Sequence, residues 1–322
     1  MTSDKKSLRD AYGEILVELG SQDRSIVVLD ADLSGSTRTS KFAKKYPERF
    51  FNMGIAEQDM ISTAAGLAAV GKIPFASTFA VFASGRAWDQ VRQSVCLSNM
   101  NVKIVASHGG ITVGEDGPTH QALEDIALMR IMPNMTVIVP ADAHETTSAM
   151  KTIVKTRGPV YLRTARDKLP VVTDEGFEFD IGKGSVVRDG PDAAIIACGY
   201  MVAKSLEAAD LLAKDGIMAA VVNMSTIKPL DTGLVAKMAA STGAIVAAEE
   251  HSIIGGLGSA VAEAVCEVGP VPVIRVGMKK PVGQSGKPEQ LLDHYGMNAI
   301  SIADAVHKAV SMKKEPVSNA QS

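Results

Sequence analysis

The feature that most restricts the fold of this chain is the regular alternation of short apolar runs with segments of helical periodicity. The first half contains six such runs, at residues 25–33, 49–55, 72–82, 101–107, 135–142 and 159–165. The run at 72–82 is mixed and reads as a strand that leads into a loop. Buried strands that alternate with helices are typical of parallel sheets covered on both faces, so we predict an α/β domain over residues 1–170.

The alternation resumes in the second half, after a segment rich in glycine and charge at 171–191. Apolar runs follow at 193–199, 217–224, 244–250 and 271–278. A chain of 322 residues is too long for one ordinary core and fits two domains. We therefore predict two consecutive three-layer α/β domains with mostly parallel sheets, 1–170 and 192–312, with 171–191 as a linker and 313–322 as a disordered tail.

The composition excludes several classes of function. The net charge is −3 and acids and bases are interspersed, which argues against a nucleic-acid-binding surface. The cysteines Cys96, Cys198 and Cys266 are far apart in apolar surroundings, so they are predicted to be buried free thiols and not metal ligands. The N-terminal segment reads as an amphipathic helix and no apolar run reaches about 18 residues. We expect a cytoplasmic protein without a membrane span.

One loop departs from this apolar pattern. The stretch "HGGITVGEDGPTHQ" at 108–121 follows a predicted strand and holds four glycines, two histidines and an acidic pair. A simple connection between two elements needs only a few residues. Binding and catalytic groups concentrate on loops held by a rigid scaffold, but glycine and proline are also ordinary turn formers. Both a functional loop and a surface excursion remain open at this point.

Glu57 and two phenylalanines are the first candidates for chemistry. Glu57 lies where a predicted strand gives way to a helix, among apolar neighbours. It is either an acid that the helix dipole favours in the first turn, or a carboxyl group placed to exchange protons at the carboxyl end of a parallel strand. Phe79 and Phe82 are either ordinary core residues or a stacking platform for a flat ring.

Three polar residues also follow predicted strands. Asp32 and Ser36 come after the first strand, where ligands gather in open α/β sheets. Helix capping explains both of them equally well. Arg166 follows the strand at 159–165 and is either a solvated arginine or a clamp for an anion.

Several segments together resemble one enzyme family. Five segments of the first half resemble, in this order, the pyrimidine-binding domain of transketolases: "FFNMGIAEQDM", "STFAVF", "HGGITVGEDGPTHQ", "LMRIMPNMTVIVPADAHE" and "VYLRTARDKLP". Two later segments look like the C-terminal domain of the same superfamily: "TIKPLD" and "EEHSIIGGLGSAVAE". The resemblance implies a thiamine diphosphate-binding fold followed by a transketolase C-terminal domain, with thiamine diphosphate as cofactor.

The resemblance assigns specific residues of this chain to the cofactor contacts. Glu57 matches the glutamate that hydrogen-bonds N1′ of the aminopyrimidine ring and promotes removal of the thiazolium C2 proton. Phe79 and Phe82 match the aromatic residues that pack against that ring. The family often has a tyrosine three residues after the second aromatic, but this chain has Gly85 there.

The resemblance also implies the substrate contacts. The residues that line the donor-sugar channel are His108, Asp116 and His120, and the two histidines count with Glu57 as catalytic. The residues that hold a sugar phosphate at the channel mouth are Arg9, Ser36 and Arg166. Asp32 matches an acid near the cofactor at a subunit interface.

The metal half of such a site is not recognisable in the sequence. The family holds Mg²⁺ and the diphosphate through a Gly-Asp-Gly motif and a later asparagine, and "RDGPD" and "KDGIM" lack that asparagine. We therefore expect no metal ligands from this chain. The resemblance implies a separate N-terminal subunit that supplies them, in an α₂β₂ assembly.

The favoured function is transfer of a two-carbon ketol unit between sugar phosphates, as the C-terminal subunit of a split transketolase in the pentose phosphate pathway. One alternative is the β subunit of a 2-oxo acid dehydrogenase, which "GEDGPTHQ" and Arg166 argue against. The others are a deoxyxylulose-phosphate synthase-like enzyme and a non-catalytic paralogue. The sequence leaves the donor open, including sulfonated and branched sugars.

Overall fold

The computed structural model describes residues 4–280 and 282–313. Apart from Lys313, the tail predicted to be disordered, 313–322, lies outside the described residues. The strands are β1 (Lys5–Ser7), β2 (Ile26–Asp30), β3 (Phe50–Asn52), β4 (Ile73–Phe79), β5 (Lys103–Ser107), β6 (Thr136–Ile138), β7 (Val160–Arg163), β8 (Lys168–Pro170), β9 (Ser185–Arg188), β10 (Ala193–Ala197), β11 (Ala219–Asn223), β12 (Thr226–Lys228), β13 (Ile245–Ser252) and β14 (Val273–Met278).

The helices occupy most of the intervening chain. They are α1 (Leu8–Gln22), α2 (Ser34–Thr37), α3 (Ser40–Lys45), α4 (Glu57–Ala69), α5 (Trp88–Gln90), α6 (Asp125–Arg130), α7 (Ala143–Ile153), α8 (Met201–Lys214), α9 (Thr232–Thr242), α10 (Leu257–Val268), α11 (Pro288–His294) and α12 (Ala299–Ser311). Side chains that accept a backbone N–H cap several of them, which fixes where they begin. These caps are Ser7 on α1, Asp142 on α7, Asp231 on α9 and Asn298 on α12.

The predicted α/β class is confirmed. Over the described residues the first sheet has the order β12-β6-β7-β5-β4-β2-β3, and the second has the order β14-β13-β10-β11-β9. All neighbours in the first sheet are parallel except β12 and β6, and all in the second except β9 and β11. Each apolar run named above overlaps one of these strands, and the mixed run contains β4.

Two strands depart from the predicted division of the chain. β9 lies inside the predicted linker, 171–191, yet it pairs with β11 at the edge of the second sheet. β12 belongs to the second half but pairs with β6 of the first sheet. Neither strand carries a periodic signal, because each is only three or four residues long. The boundaries at 170 and 192 stay a prediction.

A buried glutamate holds the chain where it crosses between the sheets. Glu145 of α7 accepts hydrogen bonds at Oε1 from Asn223 Nδ2 at 2.9 Å and from Ser225 Oγ at 2.6 Å. Ile227 of β12 is buried next to them. Buried polar groups need such partners, so this contact fixes the crossing. The hydrophobic core is likewise shared, and one cluster contains Val139 of the first half and Ile196 of the second.

The cysteines are only partly as predicted. Cys96 and Cys198 are buried, whereas Cys266 is exposed. Cys266 lies in α10 but is not one of the buried residues of that helix. Among the residues that the structure describes, no helix has the length and hydropathy needed to cross a membrane.

Candidate active site

The order of the first sheet brings the candidate residues to one edge. β7, β5, β4 and β2 are consecutive parallel neighbours. Arg166 follows β7, His108 follows β5, Phe79 ends β4 and Asp32 follows β2. The carboxyl ends of parallel strands lie at the same edge of a sheet, where open α/β folds bind their ligands. Residues more than a hundred positions apart therefore lie on one side of the molecule.

Glu57 is the first residue of α4 and is 1% exposed. Its apolar surroundings include Met60 and Ile61, both fully buried. Two polar contacts reach the carboxylate: Arg86 Nη1 donates to Oε2 at 2.8 Å, and Thr78 Oγ1 donates to Oε1 at 3.4 Å. The predicted apolar wall is thus interrupted on one side by a cation. An ionised carboxylate is stabilised by such a partner.

Four rings form a cluster beside this carboxylate. Phe79 and Phe82 are stacked, with centroids 5.8 Å apart and planes 14° apart. His108 stacks on Phe79 at 3.8 Å. His120 meets both phenylalanines edge-on, at 6.2 Å and 5.5 Å. Offset-stacked and edge-on pairs are the favourable arrangements of aromatic rings. The loop at 108–121 therefore contributes two histidines to the platform that Phe79 and Phe82 begin.

Arg86 connects the platform to the carboxylate, and sequence reasoning missed it. Its guanidinium carbon lies 4.5 Å from the centroid of the Phe82 ring while Nη1 bonds Glu57. It belongs to the π-helical turn Phe82–Arg86, a kind of turn that is frequent at functional sites. At Gly85, a Cβ atom would meet nothing within 4 Å, so the space for a side chain is open. A single arginine in "SGRAWDQ" gives no spacing signal that could have identified this contact.

Three arginines meet at the outer side of the cluster. Arg9 of α1 donates from Nη1 to the Ser36 carbonyl oxygen at 2.8 Å and from Nη2 to the Arg166 carbonyl oxygen at 2.6 Å. Burial lowers the pKa of Arg9, and the positive charges of Arg38 and Arg166 lower it further, against the raising effect of Asp10. The predicted phosphate-binding residues therefore lie together, and Arg38 is an additional cation that the sequence did not single out. Concentrated positive charge favours an anionic ligand.

Asp116 and Asp32 lie at the margin of this arrangement. Asp116 Oδ1 is 3.7 Å from Arg166 Nη1, and the same arginine also donates to the Val113 carbonyl oxygen. Asp32 is exposed and accepts a hydrogen bond from Asn52 Nδ2 at 2.9 Å. Asp116 thus joins the arginine group, whereas Asp32 contacts the end of the neighbouring strand.

The capping interpretation of Asp32 and Ser36 is wrong. α2 has Leu33 as its N-cap residue and no side-chain cap. The buried Asp30 satisfies this turn instead, because it accepts the Leu33 N–H at 2.6 Å and the Thr37 hydroxyl at 2.7 Å. A carboxylate buried at the end of a strand organises the chain that follows it.

The backbone is strained at several of these positions. Asp32, Arg38 and His108 have positive φ values of 62°, 72° and 61°. Such conformations are costly for residues other than glycine and persist where the surrounding structure enforces them, often at functional sites. The positive φ values therefore indicate the same edge of the sheet as the candidate active site.

His108 is held neutral by its surroundings. It is 3% exposed, and Ser107 Oγ lies 2.9 Å from Nδ1. Burial lowers the pKa of His108 to about 3, and the charges of Arg9 and Arg166 act in the same direction. At neutral pH the ring is therefore an uncharged hydrogen-bonding group and carries no positive charge for a phosphate.

We expect the His108 environment to make stability depend on pH. The folded pKa is below the unfolded value of about 6.5, so the stabilisation is complete above pH 6.5 and is lost as the pH falls toward 3. Between pH 6 and pH 5 the wild type should lose about 1 kcal/mol more unfolding free energy than His108→Gln. Urea unfolding at both pH values measures this. His294→Gln, at an exposed histidine, is the control; equal losses in wild type and His108→Gln would contradict the expectation.

Within the described ranges, no group of three or more His, Cys, Asp and Glu side chains is placed to hold a metal ion. The expectation that a partner supplies the Mg²⁺ ligands stays a prediction.

Comparison with known proteins identifies the family. Residues 4–172 match the family "Transketolase, pyrimidine binding domain", and residues 182–302 match "Transketolase, C-terminal domain". The chain belongs to the transketolase family. The two matched domains occur in the order that the sequence predicted. Members of the transketolase family depend on thiamine diphosphate.

Individual relatives of the chain are similar over almost its whole length. A Methanocaldococcus jannaschii protein assigned as the C-terminal section of a transketolase is 50% identical, covering 96% of this chain and 98% of that protein. A 6-deoxy-6-sulfo-D-fructose transketolase subunit from Clostridium sp. is 44% identical, covering 95% of each. A solved structure named "Split gene transketolase, inactive beta4 tetramer" is 51% identical with a TM-score of 0.89, covering 97% of this chain and all of that one.

Proposed function

We propose that this chain is the C-terminal subunit of a split transketolase, which transfers a two-carbon ketol unit from a ketose phosphate to an aldose phosphate. The observation that carries the proposal is the position of Glu57, a carboxylate that is 1% exposed beside the stacked Phe79 and Phe82 rings. The arginine group at the same edge supports a phosphorylated substrate. Two similar proteins, a transketolase subunit and a split-gene transketolase, support the division into subunits.

The residues present fit the pyrimidine half of thiamine diphosphate. When bound, thiamine diphosphate would supply a nucleophilic thiazolium carbon for reaction at the ketose carbonyl. Phe79 and Phe82 would pack against the aminopyrimidine, and Glu57 would hold and move a proton at ring N1′. A ring that bonds Glu57 must compete with Arg86, which now contacts both the carboxylate and the Phe82 face. Asp32 stays the proposed acid near the cofactor at a subunit interface.

The proposed sugar contacts form two groups, histidines for the hydroxyl groups and arginines for the phosphate. His108 and His120 hold hydroxyl groups of the donor sugar, with Asp116 at the margin. Because His108 is neutral, the negative charge of the phosphate falls to Arg9 and Arg166, with the Ser36 hydroxyl as a further donor. A guanidinium pair binds a sulfonate by the same geometry, and the similarity to a sulfo-fructose transketolase subunit makes a sulfonated donor a specific second candidate.

The diphosphate and its Mg²⁺ are assigned to a separate N-terminal subunit in an α₂β₂ assembly. A divalent cation bound to the diphosphate needs carboxylate and amide oxygens as its other ligands, and the partner subunit would provide them. The pentose phosphate pathway and a cytoplasmic location belong to the same proposal.

The function is tested by ketol transfer in the reconstituted enzyme. The chain, its N-terminal partner, thiamine diphosphate and Mg²⁺ are combined, and transfer from xylulose 5-phosphate to ribose 5-phosphate is followed. Fructose 6-phosphate and 6-deoxy-6-sulfofructose are compared as donors. Acyl transfer from a 2-oxo acid to a lipoyl domain, without ketol transfer, would reject the proposal in favour of a 2-oxo acid dehydrogenase β subunit.

Arg166→Ala should raise the KM for a phosphorylated donor by ~10-fold, because a charged hydrogen bond to phosphate contributes about 1.5–3 kcal/mol. The KM for the unphosphorylated sugar should change much less. Arg157→Ala is a matched control, since Arg157 precedes β7 at the opposite edge of the sheet and is exposed. Equal effects of Arg166→Ala on both sugars would show that this arginine does not hold the phosphate.

A further inference from the structure

The loop at 108–121, called here the histidine loop, is held by residues of the second half of the chain. The Thr112 amide donates to Glu250 Oε1 at 2.6 Å. Glu250 lies in β13 of the second sheet and is 5% exposed. A buried carboxylate bonded to a backbone N–H is a strong, charge-assisted contact. The Glu250 side chain of the second sheet thus fixes the loop backbone at Thr112.

The approach between the loop and this carboxylate is very close. Gly110 has a φ of 85°, and a Cβ atom there would overlap Oε1 of Glu250 and Nη2 of Arg163. Only glycine combines a left-handed conformation with so little space. The loop backbone therefore lies directly against Glu250, with no side chain between them.

A buried network keeps Glu250 in place. Arg163 Nη2 donates to the Glu250 carbonyl oxygen at 2.8 Å, and Arg163 Nε lies 3.4 Å from Asp125 Oδ2. Tyr161 donates its hydroxyl to the same Asp125 oxygen at 2.7 Å. Burial raises the pKa of Glu250, and the charge of Arg163 opposes that rise. Linked buried side chains restrict one another, so this network keeps the Glu250 acceptor at the loop, even though Asp125 Oδ1 has no hydrogen-bond partner.

The other end of the loop has its own anchor on the second half. Gln121 Nε2 donates to the Gln284 carbonyl oxygen at 2.9 Å. Gly117 faces Ser285, whose Oγ would overlap a Cβ atom at that position. Between the anchors, Glu115 and Asp116 remain exposed.

The two histidines of the ring cluster are adjacent to these anchors in the chain. His108 precedes the Gly110–Thr112 anchor by two residues, and His120 directly precedes Gln121. Their distances to Phe79, 3.8 Å and 6.2 Å between centroids, depend on where the loop backbone is held. A shift of about 1 Å at such groups is enough to reduce activity strongly.

We propose that the second half of the chain sets the conformation of the histidine loop, and that Glu250 is the positioning residue through which it does so. The consequence for donor binding rests on the proposed function, whereas the effect on the loop itself does not. Glu250 touches no reacting atom in this assignment; it acts through Thr112 and so through His108.

Hydrogen exchange on the full chain tests the loop contact directly. In Glu250→Ala, the amide of Thr112 should exchange at least ~10-fold faster, because its acceptor is gone. Glu249→Ala is the matched control: Glu249 neighbours Glu250 in β13, is 1% exposed, and accepts the Leu257 and Gly258 amides of α10. It should accelerate exchange in α10 and leave Thr112 unchanged.

Unchanged exchange at Thr112 in a folded Glu250→Ala protein, or equal acceleration in Glu249→Ala, would overturn the proposal. If Glu250→Ala does not fold, Glu250→Gln decides the question. Its neutral amide oxygen still accepts a weaker bond, so a smaller acceleration at Thr112 is expected, and no acceleration would reject the role.

The reconstituted enzyme provides a second readout. Glu250→Gln should raise the KM for the ketose donor several-fold while the affinity for thiamine diphosphate stays at the wild-type value. A merely structural role would weaken cofactor and donor binding together, which would contradict positioning of the loop. A wild-type assembly without ketol transfer would reject the proposed function alone, since the exchange result does not depend on it.

Discussion

Glu57→Gln should lower kcat of the reconstituted enzyme by at least ~10²-fold, the usual scale for a general acid–base group. Glutamine has the same size, so it fills the buried position at the start of α4 without a cavity. The amide cannot take up or release a proton at ring N1′, and it also loses the charge that Arg86 pairs with. Thermal unfolding of the variant checks that the fold is intact.

Asp59→Asn separates this role from a simpler one. Asp59 is exposed in the same first turn of α4. If Glu57 served only to complement the helix dipole, the two variants would cost a similar and small amount of stability, of order 0.3–1 kcal/mol, and neither would affect turnover. Near-normal kcat in Glu57→Gln would therefore remove this residue from the mechanism.

The chain alone should show no measurable ketol transfer in the presence of thiamine diphosphate and Mg²⁺. The proposed site on this chain contacts the pyrimidine ring and the sugar, whereas the diphosphate is assigned to the partner subunit. The negative charge of the diphosphate requires neutralisation by a metal with protein ligands. Activity should appear when the N-terminal subunit is added and should saturate near one partner per chain.

Two controls make this result informative. The Glu57→Gln chain, mixed with the same partner, distinguishes reconstitution from activity that contaminates the partner preparation. Sedimentation of the mixture reports whether an α₂β₂ complex forms. Full ketol transfer by the chain without any partner would reject the split-enzyme proposal, whatever complex is found.

Periodicity predicted the fold well because most helices and strands lie in segments long enough to carry the local pattern. Runs such as 25–33 and 244–250 are apolar enough to require burial, and they overlap β2 and β13. β12 was missed because three residues carry no period. It is held instead by the contacts of Asn223 and Ser225 with Glu145, which depend on tertiary structure.

The location of the candidate residues was predictable where residue type and position relative to strands carried the information, whereas their roles stay a prediction. Glu57, Phe79 and His108 all lie at strand ends or helix starts, and the structure brings their region together. Arg86 and Glu250 were not predictable in this way, since their roles follow from side-chain direction and from contacts between the two halves. The neutral state of His108 also depends on burial that no sequence pattern specifies.

The pairing of β12 with β6 has a consequence for recombination among relatives of this chain. A chimera joined near residue 172 takes its first sheet from one parent but completes the edge of that sheet with a strand from the other. An unmatched β12 would leave the backbone groups of β6 unpaired, and exposed strand edges promote aggregation. Because β12 lies beyond Asn223, we expect the two halves to be exchanged intact only as one piece.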